Sequence, residues 1–147
     1  MLEFKKGDIT KMEADVVFNA ANTELRHGGG VARAIALAAG EDLERESRKI
    51  GYCPLGDFAI TTAGKLSAKK VLHIPTIDYK RGERISYEML EEVLKKAFLF
   101  CRENDFKKIV LPLLGTGVVG LERVKVEEII KRVARDFEDL KIIVAIK

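Results

Sequence analysis

Val16-Val17-Phe18-Asn19-Ala20-Ala21-Asn22, followed after a short gap by His27-Gly28-Gly29-Gly30-Val31-Ala32, decides how the rest of the chain is read. A short apolar run rich in β-branched and aromatic residues reads as a strand. Glycines then precede a small, apolar helical pattern opening at Val31, so this is a strand handing over to a helix. The same hand-over recurs later, where residues 108–114 lead into Gly115-Thr116-Gly117-Val118-Val119-Gly120 and another helical pattern. Working outward, strand-like segments fall at 2–6, 15–19, 57–62, 70–75, 108–114 and 141–146. They are bounded by Gly, Pro, Asn or charged residues. Helical patterns occupy 31–50, a stretch from an N-cap at Ser86 through Cys101, and 124–137. Alternating strands and helices predict an α/β three-layer α-β-α sandwich, with helices on both faces of a central mixed, mostly parallel sheet of about six strands. Cys101 lies on an apolar helical stripe and reads as core.

The chain has 147 residues, with no repeat or linker, and reads as a single domain over 1–147. Its 26 lysines and arginines against 23 acids leave a formal charge of +3, with the two signs interleaved. Nucleic-acid binding is therefore not expected. No apolar run is long enough for a membrane span, and the first residues lack a signal-peptide pattern, so no membrane partner is expected. Two cysteines make no disulfide framework and fit a reducing, cytoplasmic setting. Glutamine is absent and only Asn19, Asn22 and Asn104 carry the other amide, which together with abundant Lys and Glu reads as adaptation to heat.

Ligands of open α/β sheets bind at the carboxyl ends of strands, and both glycine segments stand there. Glycines let backbone amides approach an anion closely, and a helix N-terminus adds favourable partial charge. Two such segments suggest a ligand with more than one phosphate; taken alone, each is equally well read as a tight turn. Gly115 to Gly120 spells a GxGxxG, but the acidic residue expected at the end of the next strand is missing, since that strand runs out at Ile146-Lys147. A Walker loop fails too, because Leu121 and Glu122 stand where Lys and Ser or Thr are required.

Gly7-Asp8-Ile9-Thr10, the Val16 to Asn22 run and His27-Gly28-Gly29-Gly30-Val31-Ala32 together resemble the N-terminal signature of the macro domain family. Pro54-Leu55-Gly56-Asp57, Val71-Leu72-His73 and the Gly115 to Gly120 loop follow in that family's order, so the resemblance covers essentially the whole chain. It implies binding of ADP-ribose or its derivatives. Asp8 matches the aspartate that accepts from the adenine amino group, with the Ile9 amide beside it; read by itself, Asp8 caps a turn. Asn22, with Ala21 before it, matches the position facing the distal ribose and is the candidate catalytic residue. Gly28, Gly29, Gly30 and Val31 match the first phosphate loop, and Gly115, Thr116, Gly117, Val118 and Val119 the second. Asn19 and His27 are expected to brace the first loop, and His73 to be a satisfied core histidine. No cofactor is implied, and no spacing of ligating residues points to a protein-held metal.

The sequence departs from family patterns in three places. The branch known for removing ADP-ribose from proteins has an aspartate where Ala32 stands, so the chain resembles the His-Gly-Gly-Gly-Val-Ala branch instead. An aromatic that stacks on adenine near the chain end is matched by Ile146, with Tyr79 or Phe58 as substitutes. A second aromatic is replaced by Val119. The resemblance implies either a metal-independent hydrolase of modest activity or a non-catalytic reader. The hydrolase would act on ADP-ribose 1″-phosphate, O-acetyl-ADP-ribose or ADP-ribosyl esters on proteins. The reader would bind ADP-ribose, free or on ADP-ribosylated proteins.

Overall fold

In the computed structural model, which describes residues 1–147, a seven-stranded sheet carries two helices on each face. The strands are β1 (Leu2–Lys6), β2 (Val16–Asn22), β3 (Ala59–Thr62), β4 (Lys70–Asp78), β5 (Glu83–Arg84), β6 (Lys108–Leu111) and β7 (Lys141–Ile146). The helices are α1 (Gly30–Ala39), α2 (Glu41–Ile50), α3 (Tyr87–Glu103) and α4 (Arg123–Ala134). Strand order is β1-β7-β6-β2-β4-β3, with β5 also on β4. The first five in that order run parallel, and β3 and β5 run antiparallel to β4.

Side-chain alternation assigns the two faces. Val16 and Phe18 of β2, Leu72 and Ile74 of β4, and Ile142 and Val144 of β7 pack under α3 and α4, where the larger core lies. Val17, Val71, Val110 and Ile143 point the other way, under α1 and α2. Ser86 caps α3 as expected, its hydroxyl accepting from the Met89 amide at 3.1 Å. Cys101 is fully buried.

Several boundaries differ from the sequence reading, each for a local reason. The helix expected over 31–50 is two helices: Gly40, at φ +95°, closes α1 through its N–H to Ala36 and turns the chain. β2 and β4 run further than expected. Pro75 lacks an N–H, and a register shift between Ala21 and Asn22 lets the ladder continue past it to Ile77. β6 stops early because Pro112 follows Leu111. β5 is a two-residue strand too short to leave a pattern.

Gly64 sits at the joint between the two helices and the sheet. It has φ +56°, and a Cβ there would lie 2.2 Å from the Ala39 carbonyl oxygen, which already accepts from Lys65 N–H at 2.9 Å. Gly64→Ala is expected to cost about 1–3 kcal/mol of stability, measured by urea denaturation; an unchanged midpoint would show that the joint yields freely.

Candidate functional site

The parallel order brings five strand ends, those of β1, β7, β6, β2 and β4, to one edge of the sheet. From β2 the chain crosses by α1 and α2 to β3 and β4; from β6 it crosses by α4 to β7 on the other side. The boundary between β2 and β6 is thus the switch point at which open α/β sheets bind ligands. The two strands pair only at Val16↔Ile109 and Val17↔Val110. Beyond that β2 follows β4 to Asn22, and β6 follows β7 to Leu111. The sheet parts there, and both glycine loops leave from the parting.

A cavity of about 450 Å³ opens at this edge, lined by Lys6, Gly7, Asp8, Ile9, Val31, Ala34, Pro112, Ala145 and Lys147. Asp8 both lines it and caps a short 3-10 helix, its Oδ1 accepting from the Thr10 amide (3.0 Å) and hydroxyl (2.7 Å). Oδ2 makes no hydrogen bond within the chain. The Thr10 bonds, with Lys11 and Lys147 nearby, hold the carboxyl below its usual range, so it is an ionised acceptor at neutral pH. Ile146 does not face the cavity: strand alternation turns it towards the α3/α4 core and presents Ala145 and Lys147 instead. Neither proposed aromatic substitute lines it. Phe58 packs edge-on against Phe100 on the opposite face, with ring centroids 5.4 Å apart, and Tyr79 is exposed outside the cavity. No aromatic ring lines the cavity; its apolar wall is Ile9, Val31, Ala34, Pro112 and Ala145, and Lys6, Asp8 and Lys147 supply its charges.

The first glycine loop opens α1. Its N-cap, Gly29, has no side chain to bond the first amides, so the helix N-terminus is uncapped. Gly28 and Gly29 have no strained φ, and a Cβ on either would meet nothing within 4 Å. The backbone fold does not require glycine there. The second loop differs. Gly115 has φ +77°, and a Cβ would lie 2.6 Å from Leu121 Cδ1, whereas Gly117 faces open space. Thr116 closes the turn through its hydroxyl to Leu113 O (2.7 Å), and Val118 is 91% exposed. Two residues missed in the sequence grip this loop: Arg84 donates to Val119 O (3.1 Å), and Glu122 N–H donates to the Tyr87 hydroxyl (3.0 Å). Their distance along the chain from the glycines left no signal.

Asn22 holds the first loop together. Its Nδ2 donates to Arg26 O at 2.7 Å and its Oδ1 accepts from Arg26 N–H at 3.1 Å. Inside that turn Leu25 takes φ +55°, unusual for a bulky residue, and is kept there by burial with Ala21, Cys53 and Ala59. Ala21 is therefore a packing residue whose carbonyl accepts from the Thr76 hydroxyl. Asn22 keeps one N–H and one lone pair for anything else. Two cations of this edge, Arg26 and Lys80, both contact Glu24 (3.8 and 3.4 Å).

Beneath the loop, on the α1/α2 side, Asn19, His27, Ser47, Thr61 and His73 form a buried polar cluster. Asn19 Nδ2 lies 3.0 Å from His73 Nδ1 and 3.4 Å from His27 Nδ1. Burial pushes His73 down to about 3 and His27 below the ordinary histidine value, so both are neutral at pH 7. His73 is a core histidine with both ring nitrogens bonded, as expected. Nowhere do three or more His, Cys, Asp or Glu side chains converge as a metal site, and no helix is long and apolar enough to cross a membrane.

The family model described as Macro domain matches residues 18–130. The chain belongs to the macro domain family. Among curated relatives, the O-acetyl-ADP-ribose deacetylase of Salmonella newport is 41% identical over 140 residues, covering 92% of this chain and 78% of that protein. A protein of Thermotoga maritima is 39% identical over 138 residues, which span 91% of this chain but only 23% of the longer relative. Among solved structures, the Trypanosoma brucei macrodomain in complex with ADP-ribose superposes with a TM-score of 0.87 at 27% identity, covering 99% of this chain and 64% of the other.

The two kinds of glycine are separable by stability. Gly115→Ala is expected to lose about 1–3 kcal/mol, whereas Gly28→Ala and Gly29→Ala should stay within about 0.5 kcal/mol of the parent. Thermal and urea unfolding of the three variants measure this; a large loss at Gly29 would mean the loop needs glycine for its own conformation.

Proposed function

We propose that this macro domain binds ADP-ribose at the parted edge of its sheet and hydrolyses derivatives at the distal ribose. The observation that carries the reading is the uncapped N-terminus of α1, fronted by Gly28 and Gly29, whose missing Cβ atoms leave space that the fold does not use. Amides at an open helix start suit a pyrophosphate without any lysine or arginine in the motif. Gly30, Val31 and the Gly115 to Val119 loop complete the cradle in this reading. Asp8 Oδ2 and the Ile9 amide face adenine in the cavity, and Asn22 uses its spare N–H and lone pair on the ribose hydroxyls. The similarity to a protein named O-acetyl-ADP-ribose deacetylase supports an acetyl ester as one substrate class. ADP-ribose 1″-phosphate and ADP-ribosyl esters on proteins are the others.

For an acetyl ester the chemistry is plain. Water adds to the acetyl carbonyl, the tetrahedral oxyanion collapses, and the ribose oxygen leaves as a hydroxyl, giving ADP-ribose and acetate. No carboxylate stands at position 32 to orient that water, so turnover rests on positioning by the loops and by ligand phosphate. Modest rates follow. A second reading, a reader that binds and releases ADP-ribose unchanged, is favoured by one feature: the Asn22 amide is already bonded at both ends to Arg26. We place the protein in a reducing cytoplasm and take residues 1–147 as one domain.

Calorimetry with ADP-ribose tests binding, and no heat at millimolar ligand would overturn both readings. Product chromatography with the phosphorylated, acetylated and protein-linked substrates separates hydrolase from reader. Gly29→Ala should weaken ADP-ribose binding about tenfold or more, or about 1.4 kcal/mol, at unchanged stability. Asn22→Ala is expected to abolish turnover, keep part of the binding and lose about 1–2 kcal/mol of stability as the Arg26 bonds go. Asp8→Ala should weaken adenine-containing ligands more than inosine-containing ones; equal losses would remove Asp8 from the adenine contact.

A further inference from the structure

The contacts of the buried cluster under the first glycine loop are met by one self-consistent proton arrangement. Thr61 Oγ1 lies 3.0 Å from Thr62 O, which takes its hydrogen, and 2.9 Å from His73 Nε2. Thr61 therefore accepts from His73, placing the imidazole proton on Nε2 and leaving Nδ1 a bare acceptor. The Asn19 amide fills that role with one hydrogen. Its second hydrogen serves His27 Nδ1, so the His27 proton also sits on Nε2, facing Ser47 Oγ at 3.0 Å. The two rings stack with centroids 5.0 Å apart and 19° between planes. Asn19 Oδ1 is left buried without a partner. Turned over, the amide would bury two unpartnered donors instead of one acceptor and would clash with the Thr61 assignment.

Both ends of the ligand-facing segment meet this cluster. Asn19 immediately precedes Ala20-Ala21-Asn22, and His27 immediately precedes Gly28. Through Ser47, His27 also ties the loop to α2. We propose that His27 is a positioning residue for the first glycine loop, acting as a neutral Nε2–H imidazole that shares the Asn19 amide with His73. A proton added at His27 Nδ1 would expel the Asn19 N–H and set a buried cation beside the second ring. The charged groups around it are Glu44, which favours that cation, and Glu46, whose carboxylate accepts from Thr62 N–H. Asn19 from β2, Thr61 from β3, His73 from β4 and Ser47 from α2 bring no charge. The inference rests on the ADP-ribose reading for its binding arm only.

The sign follows from the lowered His27 value. The loop is set while His27 is neutral, so ADP-ribose affinity is constant above the ordinary histidine range. It falls as acid protonates the ring below about pH 6.5. The first test needs no ligand: nitrogen-15 histidine NMR of the full chain near pH 7.5 should show both rings as the Nε2–H tautomer, and an Nδ1–H or averaged ring would overturn the proposal. The second is calorimetry from about pH 8 to about pH 5, with far-ultraviolet dichroism recording the fold. His27→Ala should weaken ADP-ribose about tenfold. His27→Asn, which retains an acceptor near the Nδ1 position, should recover most of that loss and remove the acid-side fall. Parent-like affinity in the alanine variant, or an unchanged acid fall in the asparagine variant, would sink the idea. Should the variants fail to fold, the tautomers of the parent still decide it. If the parent does not bind ADP-ribose, the functional reading fails while the tautomer result stands or falls on its own.

Discussion

The parting of β2 from β6 is the constraint on which the binding edge depends. Two residue pairs join these strands, after which each follows its other neighbour. Pro112 has no N–H with which to prolong the ladder and instead lines the cavity. The crossovers leave in opposite directions at this boundary, so α1 and α4 run to opposite faces of the sheet. Backbone amides that would otherwise be spent on the sheet are released at an edge where glycine loops and the start of α1 converge.

Those loops are set before any ligand arrives. The first is held by the Asn22–Arg26 bonds, by Thr23 N–H to Ile77 O, by Cys53 N–H to Thr23 O and by the buried histidines below. This many restraints can keep Leu25 in a left-handed conformation that a bulky residue otherwise avoids. The second loop is held from the β5–α3 segment by Arg84 and Tyr87. Ordering the backbone in the folding step lowers what binding must later spend on it, which is the sense in which glycine loops without a cationic side chain of their own can still hold an anion.

The two faces of the sheet divide the labour. The α3/α4 face carries the larger, wholly apolar core, including the Phe18–Phe98 stack and the edge-on Phe137. The α1/α2 face is thinner and admits the Asn19 cluster, where uncharged polar groups satisfy one another at the cost of one orphaned oxygen. Stability and site are thus largely on opposite sides, and the polar cluster sits directly beneath the residues that touch solvent at Gly28 to Gly30.

Strand and helix identity, the two hand-overs at glycine and the Ser86 cap were legible in the sequence because they are short-range: alternation, helical periodicity and cap chemistry act within a few residues. So was the family, carried by contiguous motifs. Asp8 illustrates the limit, since a Gly-Asp reads equally as a turn cap and as a ligand contact, and only the folded chain shows one oxygen on Thr10 and the other unused. The same holds for Asn22, whose amide turned out to clamp Arg26, and for Ile146, which pairing in the sheet turned away from the cavity in favour of Ala145 and Lys147. What the sequence determined by itself is which of the longer segments are strands, helices and open loops, the two-residue β5 and the break at Gly40 excepted. Which strand ends meet, where the sheet parts and which side chains face the parting were decided by tertiary structure alone, because hydrogen-bond register and facing depend on partners distant in the chain.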